Sequence, residues 1–270
     1  MNKPFLKWAG GKYRILPKLL PLIGSPKRYC EPFAGSLATA LNVKANEYIL
    51  NDLNRDIINL YNYLINSPTF ILECEEYFGE HTNQKEVFYI HRDNFNNEVE
   101  LKLRAFLFVY LNRHCFNGLT RYNKKGEFNV PFGKNSKPYY PKIEMNNFQK
   151  FFKTKNVKFT ALSFEDNSLY QNLEFGDVVY FDPPYIPVSK TSAFTNYTGE
   201  DFTHNQQVEL VNLAINLNKR GIKVIISNHD VPLARELYKD AKIYELQVTR
   251  SIAAKGSSRK KVNELIAVFE

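Results

Sequence analysis

The pattern of apolar and polar positions divides the chain into two α/β parts separated by a helical block. Strand-like and helix-like patterns alternate from residue 13 to residue 52, and again from residue 142 to the end. From 55 to 114, apolar residues recur only at helical spacing, which predicts about four helices and no strands. We therefore expect an α/β fold with a mixed, mostly parallel sheet and an inserted helical unit.

The predicted elements of the α/β parts are the helices Tyr13–Leu22, Leu37–Val43, Lys142–Phe152, Asn205–Lys219 and Pro232–Ala241, and the strands Tyr29–Phe33, Tyr48–Asp52, Val157–Leu162, Val178–Phe181, Lys223–Ser227, Ile243–Thr249 and Val262–Phe269. We expect the last strand to be antiparallel. Two segments lack periodicity. Ile186–Phe202 is polar and predicts a mobile lid, whereas Ser251–Lys261 is a basic loop that either holds phosphates or is solvated.

Val178–Phe181 is an apolar and aromatic run, typical of a strand buried on both faces of a parallel sheet. Asp182-Pro183-Pro184-Tyr185 follows it, and the prolines keep the chain extended where the strand ends. This places a carboxylate, the Pro183 carbonyl and a ring at the sheet edge where α/β proteins bind ligands. Two such acceptors suit an exocyclic amino group, and Tyr185 can stack on the base that carries it. The alternative is a plain strand end with a proline turn.

Two glycine-containing turns lie near the N-terminus. The first carries Trp8, the only tryptophan, and Lys12, which can meet a carboxylate or a phosphate. An ordinary capped loop explains this turn equally well. The second surrounds Gly35, and Asp52 ends the strand that follows it. An acid at this position commonly binds ribose hydroxyls, although Asp52 can also cap the next helix.

Residues 116–134 interleave basic and aromatic side chains around a hairpin-like turn near Gly126. That composition is typical of a surface that follows a phosphate backbone and touches bases. Arg121 has a planar fork that matches a guanine edge, and Phe116 and Leu119 can wedge into a base step. A solvated loop with buried ring anchors is the alternative.

The charge balance is basic, with 36 Lys and Arg against 28 Asp and Glu, a formal net charge of +8. This excess fits a polyanionic partner, but it also serves solubility. Cys30, Cys74 and Cys115 are widely spaced, and the histidines show no ligand pattern, so we expect no metal and reduced thiols in a cytoplasmic protein. The chain contains no run of about 18 apolar residues, and we expect neither secretion nor membrane insertion.

The motifs follow a specific order: Phe5–Lys12 (FLKWAGGK), Glu31–Gly35 (EPFAG), the acid-ended second strand, Asn117–Asn123 (NGLTRYN) with Gly126–Gly133 (GEFNVPFG), and Asp182–Tyr185 (DPPY). DPPY alone is shared by many amino-methyltransferases. The ordered set resembles the Dam-type DNA adenine methyltransferases of the α group, in which the cofactor motif precedes the recognition block and the catalytic motif comes last. The resemblance extends over nearly the whole chain, from Phe5 to Leu265.

The resemblance implies a Rossmann-like S-adenosylmethionine-dependent methyltransferase fold, with 1–54 and 142–270 as the catalytic domain and 55–141 as an inserted DNA-recognition domain. It implies methyl transfer from S-adenosylmethionine to N6 of a flipped adenine in double-stranded DNA, within GATC, with S-adenosylhomocysteine as the product. The implied catalytic residues are Asp182, Pro183, Pro184 and Tyr185. The implied cofactor residues are Trp8, Ala9, Gly10, Lys12, Glu31, Pro32, Phe33, Gly35, Asp52, Ser163, Phe164 and Asp182. The implied DNA contacts are Lys7 at the first guanine, Arg121 at the third base pair, and Phe116, Asn117, Leu119, Asn123, Pro131 and Lys134.

The sequence departs from the family pattern in two places. Leu37 and Ala38 stand where many members carry a second glycine followed by serine, and Phe116 stands where tyrosine is common. Phe164 can belong to the core instead of a pocket. Two other functions stay open: amino-methylation of RNA or protein amides, and DNA binding by a catalytically silent relative.

Overall fold

The computed structural model describes residues 1–133, 137–188, 202–249 and 261–270. Its helices are α1 (Leu16–Ile23), α2 (Arg55–Asn66), α3 (Phe70–Glu75), α4 (Lys85–Asn97), α5 (Leu101–His114), α6 (Lys142–Phe152), α7 (His204–Lys219) and α8 (Pro232–Leu237). Its strands are β1 (Arg28–Glu31), β2 (Glu47–Asn51), β3 (Asn156–Thr160), β4 (Val178–Phe181), β5 (Lys223–His229), β6 (Lys242–Thr249) and β7 (Lys261–Phe269). Short 3₁₀ turns cover Lys12–Arg14, Ala40–Asn42, Glu80–Thr82, Phe116–Gly118 and Asn167–Leu169.

The described strands form one seven-stranded sheet in the order β3-β2-β1-β4-β5-β7-β6. The first five are parallel, as in a doubly wound nucleotide-binding sheet. β7 runs antiparallel between β5 and β6. The expected α/β fold, with a mixed, mostly parallel sheet and an antiparallel last strand, is confirmed.

The central position of β4 in the sheet explains why its sequence is apolar throughout. Val178 and Tyr180 face the core that includes the helical block, whereas Val179 and Phe181 face the core that includes α7 and α8. All four residues are buried. Burial on both faces removes the polar alternation of an exposed strand, as the sequence predicts.

The helical block lies in the connection from β2 to β3, and its four helices α2–α5 confirm the expected number and type. The Asn54 side chain caps α2 by accepting from two backbone N–H groups. Asp56 then joins three elements, because its carboxylate accepts from Arg104 on α5 and from the Tyr122 hydroxyl at 2.6 Å. The loop that follows α5 is thereby fixed to the helices.

The predicted helix Leu37–Val43 is wrong. Leu37 has a left-handed backbone (φ 61°), and only the 3₁₀ turn Ala40–Asn42 forms. The Leu37 side chain is completely buried, so core packing prevails over the local helical pattern. The predicted lid Ile186–Phe202 and the basic loop Ser251–Lys261 lie largely outside the described residues, and they stay predictions.

The three cysteines are buried and free, as expected for structural thiols. Burial raises the pKa of each thiol, so none is activated as a nucleophile. No helix within the described ranges is long and apolar enough to cross a membrane.

His114 at the end of α5 makes stability depend on pH. Its ring is buried against Tyr110, and Nδ1 donates to the Tyr110 carbonyl at 2.8 Å. Burial lowers the pKa of His114 to about 4, whereas an unfolded histidine titrates near ~6.5. Between these values the unfolded chain binds more protons, so the free energy of unfolding falls as pH decreases from ~6.5 towards 4.

We expect the free energy of unfolding of the parent protein to fall by at most about 2 kcal/mol from pH 7 to pH 5, at about 1.4 kcal/mol per pH unit below ~6.5, and His114→Gln to remove this loss. Urea unfolding of both proteins at pH 7 and pH 5 measures this difference. The exposed His204 supplies a matched control, His204→Gln. Equal pH slopes for the parent and His114→Gln would contradict the prediction.

Candidate active site

The site lies at the carboxyl edge of the sheet, where the strand order reverses. β4 pairs with β1 on one side and with β5 on the other, while β2 and β3 lie beyond β1. Ligands of open α/β sheets bind in the crevice at such a switch point. The turn after β1 and the DPPY turn after β4 both border this crevice.

Asp182 is paired through both carboxylate oxygens. Oδ1 accepts from the Ser227 hydroxyl at 2.8 Å, and Oδ2 lies 2.8 Å from the Lys12 ammonium. The same ammonium donates to the Gly10 carbonyl and lies 4.7 Å from the centre of the Tyr185 ring. The predicted residues Gly10, Lys12, Asp182 and Tyr185 therefore meet at one point.

The DPPY turn is supported by residues that sequence reasoning missed. On β5, the Asn228 side chain accepts from the Ile186 N–H at 2.9 Å. The His229 ring packs edge-on against Tyr185, with centroids 4.9 Å apart, and its Nδ1 donates to the Ile186 carbonyl. Gln207 on α7 donates to the Pro184 carbonyl at 3.0 Å.

The Tyr185 hydroxyl donates to Glu264 on β7 at 3.3 Å. Burial, with Asp182 and Glu264 nearby, raises the pKa of Tyr185 well above its usual value. The phenol therefore stays neutral, and its ring presents an uncharged aromatic face.

The Gly35 turn holds Trp8 and Asp52. Gly35 has φ +45°, and a Cβ there would lie 2.7 Å from the Trp8 indole nitrogen. Its N–H donates to Asp52 Oδ2 at 2.9 Å, and the other Asp52 oxygen accepts from the Asn54 N–H. Removal from water raises the pKa of Asp52 to about 6, so the carboxylate is ionised at neutral pH. Because Asn54 is the cap of α2, the capping alternative for Asp52 is wrong.

Phe33 and Phe164 form an aromatic pair beside this turn, with ring centroids 5.4 Å apart. Phe202, which sequence reasoning did not single out, lies 5.8 Å from Phe33 and 5.5 Å from Phe164. Phe164 is buried and packs in the core on this face of the sheet, while Ser163 beside it is exposed.

Glu31 is a buried structural carboxyl in this arrangement. Its Oε2 accepts from the Tyr29 hydroxyl and from the Ala40 N–H, both at 3.1 Å. Burial, with Asp182 nearby, raises the pKa of Glu31 well above its usual value. The next residue, Pro32, is also buried, and its carbonyl accepts from Asn51.

Lys7 lies against the loop that follows α5. The Asn112 side chain accepts from the Lys7 N–H at 2.9 Å and donates to the Lys7 carbonyl at 2.8 Å. A Cβ on Gly118 would lie 2.4 Å from Lys7 Cδ, so the lysine stem rests directly on that glycine. Ala9 follows on the same segment and is half-buried.

The loop 115–132 is a hairpin-like turn, as predicted, with antiparallel bridges Cys115↔Phe132 and Tyr122↔Phe128. Arg121 is exposed, and its Nε donates to Asn129 at 2.7 Å. Asn123 uses its side chain to shape the turn, since it accepts from the N–H groups of Lys125 and Glu127.

Four predicted DNA contacts are exposed or half-buried on this loop: Phe116, Asn117, Leu119 and Pro131. Phe116 is 47% exposed, so its ring is accessible on this surface. Lys134 lies outside the described residues.

The sequence contains a pattern that indicates some of the site residues that were not predicted from it. Ser227, Asn228 and His229 are polar and follow the apolar run of β5 at the same edge as Asp182. No local pattern of this kind marks Gln207, Glu264 and Asn112, because each reaches the site from a different element.

Comparisons with known proteins agree with this geometry. Residues 8–252 match the family model of D12 class N6 adenine-specific DNA methyltransferases. The chain is 43% identical to the DNA adenine methylase of Escherichia coli K12, covering 100% of this chain and 96% of the relative. It is 40% identical to the DNA adenine methylase of Vibrio cholerae O1 (strain ATCC 39541), covering 99% and 96%. The chain belongs to the D12 class of N6 adenine-specific DNA methyltransferases.

Membership confirms the expected reaction, adenine-specific DNA methylation, with S-adenosylmethionine as the methyl donor. A solved structure of the rRNA methyltransferase aviRa from Streptomyces viridochromogenes has a TM-score of 0.42 and 10% identity, covering 100% of this chain and 90% of that chain. The alternatives of RNA or protein-amide methylation and of a silent DNA-binding relative are not favoured.

The crevice of this methyltransferase fits that donor. Asp52 has a carboxylate that would suit ribose hydroxyls, and half-buried Phe33, which packs against the buried Phe164, has a ring that would suit an adenine. Asp182 lies next to Lys12, and its negative charge suits a cationic sulfonium. When bound, the donor supplies the electrophilic methyl group, while the protein supplies orientation and electrostatics.

We expect Gly35→Ala to displace Trp8 and to lower the affinity for S-adenosylmethionine by about tenfold or more, since such overpacking costs about 1–3 kcal/mol. Gly24→Ala is the matched control, because Gly24 also has a positive φ (+74°) but no atom within 4 Å of an added Cβ. Calorimetry measures the affinities, and the fluorescence of the single tryptophan reports its displacement. Equal binding by the two variants would contradict the assignment.

Proposed function

We propose that this methyltransferase acts on GATC sites in double-stranded DNA, on an adenine rotated out of the duplex. Resemblance of the Arg121 loop to the Dam-type pattern supports the GATC site. The observation that carries the proposal is the constellation of Asp182, the Pro183 carbonyl and the Tyr185 ring at the switch point of the sheet.

Two acceptors make the amino group of adenine a better nucleophile. Its lone pair is delocalised into the ring, and acceptors on both hydrogens keep that pair on the nitrogen. Within the described residues the Pro183 carbonyl has no protein donor, whereas the Pro184 carbonyl is taken by Gln207. Asp182 Oδ2 and the Pro183 carbonyl are therefore the two acceptors, with Tyr185 stacked on the base.

Lys12 occupies the position proposed for the adenine amino group. Its ammonium contacts Asp182 Oδ2 and lies over Tyr185, so an incoming adenine must displace it. The amino nitrogen becomes acidic only as it takes up the methyl group. Asp182 therefore need not remove a proton beforehand, and it acts first as an orienting acceptor.

We propose 1–54 and 142–270 as the catalytic domain and 55–141 as the recognition domain. Exposed Phe116 and half-buried Leu119 suit a wedge that unstacks a base step. Base flipping costs a few kcal/mol, and the net charge of +8 supports the salt-dependent phosphate contacts that offset this cost. The remaining proposed contacts are Lys7, Asn117, Arg121, Asn123, Pro131 and Lys134.

The proposed cofactor residues are Trp8, Ala9, Gly10, Lys12, Glu31, Pro32, Phe33, Gly35, Asp52, Ser163, Phe164 and Asp182. Among them Glu31 is buried, and its described hydrogen-bond partners are Tyr29 and Ala40. A DNA substrate and three unpaired thiols support action in the cytoplasm.

The first test is methyl transfer from labelled S-adenosylmethionine to a GATC duplex, a duplex without GATC, and RNA. We expect only the GATC duplex to be labelled and to become resistant to a nuclease that cuts unmethylated GATC. Asp182→Ala should lower the rate by about 10³-fold or more while DNA binding is retained. Full turnover by Asp182→Ala would overturn the catalytic assignment of Asp182. Labelling of RNA would contradict the proposal that double-stranded DNA is the substrate.

The second test concerns base recognition by Arg121. We expect Arg121→Ala to lose about 1–3 kcal/mol of discrimination against duplexes altered at the third base pair. The matched variant Lys125→Ala, at the tip of the same turn, should reduce the salt slope of binding by about one and keep discrimination. Competition assays at several salt concentrations measure both effects. Loss of discrimination in Lys125→Ala instead would place recognition elsewhere on the loop.

A further inference from the structure

Ser227 lies between the catalytic carboxylate and a buried tyrosine. Its hydroxyl oxygen is 2.8 Å from Asp182 Oδ1 and 2.9 Å from the Tyr180 hydroxyl. Ser227 is 1% exposed and Tyr180 is completely buried, so both hydroxyls must find partners within the protein.

The direction of these two hydrogen bonds follows from proton counting. A carboxylate that is ion-paired with Lys12 has no proton to donate, so Ser227 donates to Asp182. Ser227 has only one proton, and its oxygen must therefore accept from Tyr180. Burial first of all, with the charge of Asp182 nearby, keeps the Tyr180 phenol protonated by raising its pKa.

The strand register builds this chain of hydroxyls. β4 and β5 are parallel, and Tyr180 pairs with Ile225 while Phe181 pairs with Ile226. The next pair in register is Asp182 beside Ser227, so the serine is the direct neighbour of the catalytic residue across the sheet. Asp182 directly follows the buried strand β4 and Ser227 lies within β5, so the register of these two strands sets which residues face each other.

We propose that Ser227 is a positioning residue for methyl transfer, oriented in turn by Tyr180. This inference rests on the proposed role of Asp182. The hydroxyl of Ser227 fixes Oδ1 and thereby the plane of the carboxylate. Oδ2 then faces the crevice, where it contacts Lys12 and, after Lys12 leaves, the adenine amino group. The bond to Oδ1 lies on the opposite oxygen, so it persists when the ion pair opens.

The test uses single-turnover methyl transfer together with binding of the cofactor and DNA. We expect Ser227→Ala to lower the transfer rate by about 10- to 100-fold, the usual range for losing a hydrogen bond to a charged group. Both dissociation constants should change by less than about twofold, because Ser227 touches neither ligand. Ser227→Thr, which keeps the hydroxyl, should recover most of the rate.

Tyr180→Phe should lower the rate less than Ser227→Ala, and the double variant should be no slower than Ser227→Ala alone, because the hydroxyls act in series. Tyr48→Phe is the control: Tyr48 is also completely buried near the amino end of β2, and within the described part of the chain its hydroxyl bonds to the Val43 carbonyl and the Ala45 N–H. That variant should keep the parental rate. Thermal unfolding of every variant identifies any loss that comes from misfolding.

A fully active Ser227→Ala, or additive losses in the double variant, would overturn the inference. If Ser227→Thr does not fold, the comparison of Tyr180→Phe with Tyr48→Phe decides, and equal rates would overturn it as well. The proposed function is tested separately. An inactive Asp182→Ala beside an active Ser227→Ala would refute only the positioning role, whereas an active Asp182→Ala would refute the catalytic assignment itself.

Discussion

A half-buried carboxylate that must be paired is the constraint on which this active site depends. The Asp182 side chain is 19% exposed, and a charge so far removed from water is costly without donors or a cation. Its partners come from separate elements: Ser227 from β5 and Lys12 from the N-terminal segment. The pairing therefore brings the first residues of the chain, the central strand and its neighbour to one point.

The N-terminal segment 5–12 also connects the two surfaces proposed for DNA recognition and catalysis. Phe5 is buried in the core against Tyr61 and Phe148, and this contact anchors the segment. From that anchor, Lys7 lies in the clamp made by Asn112, and Lys12 reaches Asp182. The segment lies between α5 and the crevice. A contact at the loop 115–132 and a contact at the Asp182 carboxylate therefore share one stretch of backbone.

The sequence predicted the sheet and the turn at Asp182–Tyr185 because their signals are local. The apolar run of β4 and the two prolines act on neighbouring residues, and the structure agrees with both. The predicted helix at Leu37 failed because burial of that side chain outweighed local propensity. The antiparallel β7 was correctly expected, but its exact place between β5 and β6 was not.

Within the site, the missed residues have a common physical reason. Ser227 meets Asp182 through strand register, and Glu264 meets Tyr185 through the antiparallel partner of β5. The described partners of Glu31 and Asn123 are groups of the chain itself, and their predicted ligand contacts stay predictions. Residue type and spacing reveal which groups can do chemistry, whereas their partners are set by tertiary contacts that no local pattern encodes.

The most direct measurement is a crystal structure of the enzyme with a GATC duplex and a non-reactive analogue of the methyl donor. We predict a flipped adenine stacked on Tyr185, with its amino nitrogen within hydrogen-bond distance of Asp182 Oδ2 and the Pro183 carbonyl, and with Lys12 displaced. A flipped adenine held elsewhere, with Lys12 still on Asp182, would contradict it.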